Sequence, residues 1–232
     1  SANEQIRNIT DWGLQQFQNR YQLNESSSPV CYAASKEIRE DFKLDAAAKG
    51  EITKEDIFYY TYAVLHNPAY RKKYELNLKR EFPRIPFYDN FFQCRDWGKK
   101  LMELHINYES VQPYPLERKE VSTKEEPKAK LKALKETGVI QLDENTELQG
   151  IPKEAWEYKL GNRSALEWIL DQYKEKKPKD PTIAEKFNTY KFADYKEKVI
   201  DLLGRVCRVS METVEVVGEM GRELLKIRNI EF

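Results

Sequence analysis

The spacing of apolar residues changes twice along this chain, and that change limits its architecture more than any other feature. Between residues 53 and 108 large apolar side chains recur every third or fourth position, the period of a helix buried on one face. Ile57, Phe58, Thr61, Val64 and Leu65 form one such run, and Tyr70, Tyr74 and Leu78 a second. Phe91, Cys94, Trp97, Leu101, Leu104 and Tyr108 form a third, over about Asp89 to Asn107. Around residue 128 the period becomes two: Ala129, Leu131 and Ala133 alternate with Lys128, Lys130 and Lys132, as a half-buried strand requires. Gly138 to Leu142 and Glu147 to Gln149 read as two further strands, with Asp143 to Thr146 as the turn between them. Helical spacing then returns with Leu166, Ile169, Leu170 and Tyr173. The expected fold class is α+β, predominantly helical with a small antiparallel β-sheet.

Local signals place the element ends. Thr53 with Asp56, and Ser164 with Glu167, have capping-box spacing. Asn67-Pro68 pairs a good N-cap with a first-turn proline, and Pro83 and Pro86 stop the helix that follows. Residues 4–20 read as a helix carrying Ile6, Ile9, Leu14 and Phe17. A short helix is expected over 152–158, ended by Gly161, and two closing helices near 192–206 and 211–227, the second capped by Ser210. The expected organisation is a helical subdomain over 1–110, with 22–50 a surface excursion holding one short helix near 35–43. A Pro- and charge-rich linker over 111–127 and a mixed subdomain over 128–232 complete it.

Composition narrows the function classes. Aromatic residues make up 12 % of the 232 residues, which argues for a folded domain, since disordered chains are poor in them. Lys+Arg and Asp+Glu both number 39. A polyanion could therefore be attracted only by locally segregated charge. Three widely spaced cysteines, Cys31, Cys94 and Cys207, imply no disulfide framework and fit a reducing compartment. No apolar run approaches the ~20 residues of a membrane span, and Ser1-Ala2-Asn3-Glu4 begins no signal-peptide pattern.

Catalytic patterns are not visible. The sequence has no phosphate-binding Gly-rich loop, no dinucleotide fingerprint and no nucleophile elbow. The two histidines, His66 and His105, neighbour no cysteine and form no metal-ligand spacing. His66 falls at a helix end, where capping or core packing is the ordinary role. Asn67-Pro68-Ala69-Tyr70 matches three positions of the Asn-Pro-Pro-Tyr loop with which DNA adenine methyltransferases hold a flipped base. No glycine-rich cofactor loop precedes it and helix follows it, so it reads as a cap.

Charge, by contrast, is clustered. Between His66 and Tyr88 lie Arg71, Lys72, Lys73, Lys79, Arg80 and Arg84, opposed only by Glu75 and Glu81, a local balance of +4. A helix with this face is suited to phosphate contacts, although an ordinary solvated face has the same composition. Lys128, Lys130 and Lys132, and Lys174, Lys176, Lys177 and Lys179, form smaller clusters of the same ambiguity. Asn162-Arg163 precedes a helix N-terminus, a place for an anion or a base edge, or for a simple cap.

Two long segments carry a family likeness. One runs from Ile52-Thr53-Lys54-Glu55-Asp56-Ile57-Phe58-Tyr59-Tyr60 through Asn67-Pro68-Ala69-Tyr70-Arg71 to Leu78-Lys79-Arg80-Glu81-Phe82-Pro83-Arg84-Ile85-Pro86-Phe87. The other is Ile151-Pro152 with Ala155-Trp156-Glu157-Tyr158-Lys159-Leu160-Gly161-Asn162-Arg163-Ser164-Ala165-Leu166-Glu167-Trp168. Together they resemble the C-terminal specificity domain of type ISP restriction-modification enzymes, single-chain relatives of type I and type III systems.

The resemblance implies DNA target recognition by a bacterial, cytoplasmic domain without catalysis or cofactor of its own. It also implies that a nuclease, an ATP-driven translocase and an adenine-N6 methyltransferase precede the domain on one polypeptide. S-adenosylmethionine, ATP and Mg would serve those upstream parts. The expected partners are double-stranded DNA and the upstream methyltransferase and translocase domains. Arg71, Lys72, Lys73, Lys79, Arg80 and Arg84 are the phosphate candidates, and Asn162 and Arg163 the base-reading ones. The competing reading is a protein-interaction scaffold docked on the methyltransferase or translocase domain, which abundant tyrosine would also suit.

Overall fold

The structure is a computed structural model and describes residues 8–21, 51–122, 127–175 and 190–226. The chain divides into two compact units, residues 1–102 and 103–232. The 22–50 excursion and its short helix lie outside the described residues.

The first unit is helical. Helix α1 spans Asp11–Tyr21 and α2 spans Lys54–His66. The α2 N-terminus is closed by the expected capping box, with Thr53 and Asp56 each accepting the other's backbone N–H. Two short helices follow, α3 over Pro68–Lys73 and α4 over Glu75–Leu78. Helix α5 spans Phe91–Ile106. The core is aromatic at one end, where the Phe17, Tyr21, Tyr60 and Phe91 rings and the exposed Phe87 ring that covers them meet at centroid distances of 4.9 to 6.5 Å. Buried hydroxyls need partners, and both tyrosines find them in backbone. Tyr21 Oη donates to Tyr88 O (2.6 Å), and Tyr60 Oη donates to Pro86 O (2.6 Å) while accepting from Tyr88 N (2.8 Å). These bonds hold the extended 86–88 segment. Cys94, Trp97 and Leu101 of α5 are buried as their spacing requires. The glycine between them, Gly98, lets α5 come so close to α2 that an added Cβ would lie 1.8 Å from Tyr59 O.

The second unit places a sheet against helices. Strands β1 (Glu117–Glu120), β2 (Ala129–Leu134), β3 (Val139–Asp143) and β4 (Thr146–Gln149) pair antiparallel in the order β1-β4-β3-β2. The three strands expected from alternation are β2, β3 and β4. Strand β1 falls in the stretch expected as a linker, and all four of its residues are exposed. Ile140 lies opposite Leu148, and the register of β2 shifts between Ala129 and Lys132 around Leu131, whose φ is +42°. Leu131, Ile140, Leu142 and Leu148 turn one face inward onto Leu166, Leu170, Val199 and Leu203.

Those last four residues belong to α6 (Ala165–Gln172) and α7 (Lys196–Lys226). Helix α7 replaces the two closing helices expected from sequence. Ser210 caps nothing: it is buried and its Oγ donates to Val206 O, four residues back, at 2.7 Å. A serine inside a helix can bond back to the carbonyl four residues earlier, although N-caps are its favoured place. The segment expected as a helix over 152–158 is a 3-10 turn, Lys153–Trp156. Gly161 does not stop a helix; it sits in the two-residue turn of a hairpin formed by β5 (Lys159–Leu160) and β6 (Arg163–Ser164).

Candidate nucleic-acid interface

The basic segment is built on Asn67. Its side chain is 2 % exposed and Oδ1 accepts from Ala69 N (2.8 Å) and Tyr70 N (3.4 Å), satisfying the first turn of α3. The oxygen caps the helix, as the sequence reading expected. Tyr70 is buried beneath the segment and its Oη donates to Arg84 O at 2.8 Å.

The run from Pro68 to Leu78 is not one helix. Tyr74 leaves the helical region (φ −109°, ψ 19°) and separates α3 from α4. Backbone bonds from Tyr74 N to Tyr70 O and from Leu78 N to Tyr74 O persist across the break. The tyrosine and leucine stripe therefore keeps one face, which lines a groove of about 290 Å³ closed on the other side by Phe82, Pro83 and Arg84.

All six basic side chains of this segment are exposed, but their charges are not equally available. Lys79 Nζ lies 2.7 Å from Glu75. Arg84 is 3.9 Å from Glu81 and its side chain is 94 % exposed. Lys73 Nζ lies 5.3 Å from the centre of the Tyr74 ring. Arg71, Lys72 and Arg80 form no ion pair among the described residues.

Asn162 and Arg163 belong to the second unit. Gly161 has φ +73°, and it is the first central residue of the hairpin turn, with Asn162 the second. Glycine supplies that conformation without a Cβ penalty. Asn162 is exposed at the tip. Arg163 is held: Nη1 is 3.0 Å from Asp171, and its guanidinium lies 5.8 Å from the Trp168 ring centre. Trp168 Nε1 in turn donates to Leu160 O at 2.8 Å. The N-terminus of α6 is filled by the chain's own carboxylate. Glu167 Oε2 accepts from Ser164 N (2.9 Å) and Ser164 Oγ (2.8 Å), and Oε1 lies 2.8 Å from Lys135. The hairpin tip, not the helix end, is thus the part of this loop open to a ligand.

Lys128, Lys130 and Lys132 are exposed, whereas Lys174 lies 3.6 Å from Asp171. Lys176, Lys177 and Lys179 lie outside the described residues.

Other reactive groups are engaged or muted. His66 Nδ1 is 2.8 Å from Tyr62 O, and burial lowers its pKa against that bond. Burial pushes the Cys94 and Cys207 thiols up to about 12, far from the range of a thiolate nucleophile. No group of three or more potential metal ligands occurs among the described residues. Sequence reasoning overlooked Phe82, which is nearly fully solvent-exposed. Nothing local distinguishes it from the buried Phe91 that follows.

Comparison with known proteins classes the chain with the specificity domains of restriction-modification enzymes. It belongs to the family described as the Type ISP C-terminal specificity domain, whose match covers residues 1–202. Several solved structures resemble it, among them three complexes with DNA or a DNA mimic. The DrdV–DNA complex determined by cryoEM shares 51 % identity over 91 % of this chain, with a TM-score of 0.76. A nuclease-deletion mutant of the Type ISP restriction-modification enzyme LlaGI, in complex with a DNA substrate mimic, shares 36 % over 74 %, with a TM-score of 0.59. The ATP-dependent Type ISP restriction-modification enzyme LlaBIII, bound to DNA, shares 29 % over 85 %, with a TM-score of 0.58. This chain covers 20 %, 16 % and 13 % of those three chains, respectively. Among curated proteins none matches it.

Proposed function

We propose that this chain recognises a DNA target sequence as the specificity domain of a larger restriction-modification polypeptide. In that role it positions duplex DNA for an upstream adenine-N6 methyltransferase and an ATP-driven translocase with its nuclease. The observation that carries the reading is the exposed basic segment 71–84, in a family whose solved neighbours are DNA-bound enzymes.

Phosphates would fix the register of the duplex on Arg71, Lys72, Arg80 and Arg84, with Lys73 beside them. Lys79 contributes less, since Glu75 already neutralises it. Asn162, at the tip of a pinned hairpin, offers an amide to a base edge; Arg163 must first leave Asp171. S-adenosylmethionine, ATP and Mg belong to the upstream domains in this reading. The role places the protein in the bacterial cytoplasm. Among the described residues no helix is long and apolar enough to cross a membrane.

Titration of the chain with duplex DNA at several salt concentrations tests the proposal. Log affinity should fall linearly with log salt, with a slope set by the number of phosphates neutralised. Affinity indifferent to salt would remove the phosphate role. Docking onto an upstream domain is the second reading, favoured by Trp12 and Phe58, which are 72 % and 52 % exposed.

A further inference from the structure

Phe82 is 96 % exposed, more than any other large apolar side chain among the described residues. A phenylalanine in water forgoes the burial that normally stabilises it. It is also not on a loose loop. Before it, Arg80 N and Glu81 N both donate to Asn77 O (2.9 and 2.8 Å). After it, Pro83 restricts the backbone, and Tyr70 Oη anchors Arg84 O at 2.8 Å. The backbone on either side of Phe82 is therefore anchored, and the ring stands exposed on the rim of the groove lined by Tyr70, Tyr74 and Leu78.

Charge identifies what covers it. Arg80 and Arg84 stand two residues to either side, one without an ion pair among the described residues and the other 94 % exposed and 3.9 Å from Glu81. An apolar protein surface closing on Phe82 would have to desolvate the Arg80 guanidinium without a partner, and that of Arg84 with only the 3.9 Å Glu81 pair to offset it. A nucleic-acid backbone would instead neutralise them while its bases offered a stacking surface. Apolar wedges flanked by basic residues enter base steps in this way in many DNA-bending proteins.

We propose that Phe82 is a stacking wedge, entering a base-pair step of duplex DNA while Arg80 and Arg84 hold the flanking phosphates. The proposal rests on the DNA-recognition reading and adds a distortion of the duplex to it. Opening a step costs least where a base is already missing or mispaired. The chain should therefore prefer a duplex with a gap in its stack.

The test compares the full 232-residue chain on a 30-base-pair duplex of mixed sequence and on the same duplex with one central abasic site. The expected result is binding at least about fivefold tighter to the abasic duplex. Phe82→Ala should lose that preference while keeping the salt slope, and Phe82→Trp should keep it. Because the side chain is exposed, its truncation leaves the core intact, and an unchanged circular dichroism spectrum checks this. If the wild-type chain shows no preference, or Phe82→Ala retains it, the wedge is overturned while salt-dependent binding to the intact duplex leaves DNA recognition standing. Equal behaviour of Phe82→Ala and the wild-type chain is also the outcome expected of a protein-docking phenylalanine. Absence of binding to both duplexes overturns the wedge and the DNA reading together.

Discussion

The ammonium group of Lys196 lies 3.0 Å from the carboxylate of Asp143, a side chain only 2 % exposed. It also lies 2.7 Å from Glu120. One cation in the first turn of α7 thereby ties down the end of β3 and the edge strand β1. Burial opposes the charge, but hydrogen bonds to Glu120 and Asp143 prevail and the Lys196 pKa is raised. Removing one partner of a buried pair leaves the other uncompensated. Lys196→Met should cost about 3 kcal/mol, read as a lower urea midpoint. Adding Asp143→Asn should recover part of that loss; strictly additive effects would show that the pair is not coupled.

Glu167 gives a pH dependence. Burial raises its pKa, but Lys135 and the two groups of Ser164 outweigh it and hold the carboxyl at about 2, against an ordinary 4.5. A carboxyl depressed on folding contributes stability that is complete above its unfolded pKa. That contribution is lost as pH falls through the folded value. Glu167→Gln should cost about 2 kcal/mol at neutral pH, with partial exposure screening some of the effect. Denaturation across a pH series should show the difference from wild type constant above about pH 5 and shrinking towards pH 2. A difference independent of pH would assign the loss to the cap alone.

Gly98 makes a steric prediction. Even alanine there would place Cβ 1.8 Å from a backbone oxygen of α2, and backbone yields less readily than a side chain. Gly98→Ala should destabilise the first unit by about 3 kcal/mol, the upper end of ordinary overpacking. Gly221→Ala is the control: it also lies in a helix, but nothing stands within 4 Å of its Cβ position. Thermal unfolding of both variants checks the contrast.

Charge reversal separates DNA reading from protein docking. Arg71→Glu with Arg80→Glu should weaken duplex binding and reduce the steepness of the log–log salt dependence by about 2. Folding should be unaffected, since neither residue is paired among the described residues. Lys79→Met should change the slope less than either arginine, because Glu75 already neutralises it. Lost assembly with the methyltransferase or translocase, with DNA affinity intact, would favour docking.

How much could be read in advance follows the range over which each signal acts. The capping boxes at Thr53 and Ser164 and the Asn67 cap are complete within four residues, and the structure contains all three. The alternation of β2, β3 and β4 was visible because one face of each packs on the core. Strand β1 carries only Glu-Arg-Lys-Glu; it has no buried face to mark it and exists through pairing with β4, across more than two dozen residues. Ser210 was misread because a capping serine and a serine bonding back inside a helix have the same local sequence. The basic surface was legible because its residues are contiguous. The restraint of Arg163 by Asp171 depends on how the hairpin folds onto α6. The exposure of Phe82 comes after a turn at Asn77 that no periodicity announces.

Helix α7 runs for 31 residues without interruption, about 46 Å at the usual rise. Such a rod behaves as a phased spacer. Inserting one residue near its middle would advance everything beyond by about 1.5 Å and turn it by about 100°. The Val199 and Leu203 contacts on the sheet would then be kept only by rotating Val216 and Met220 off their buried stripe. Length changes here are therefore tolerable only in near-whole turns, about seven or eleven residues at a time. The spacing between the two ends of this unit can accordingly change only in discrete steps.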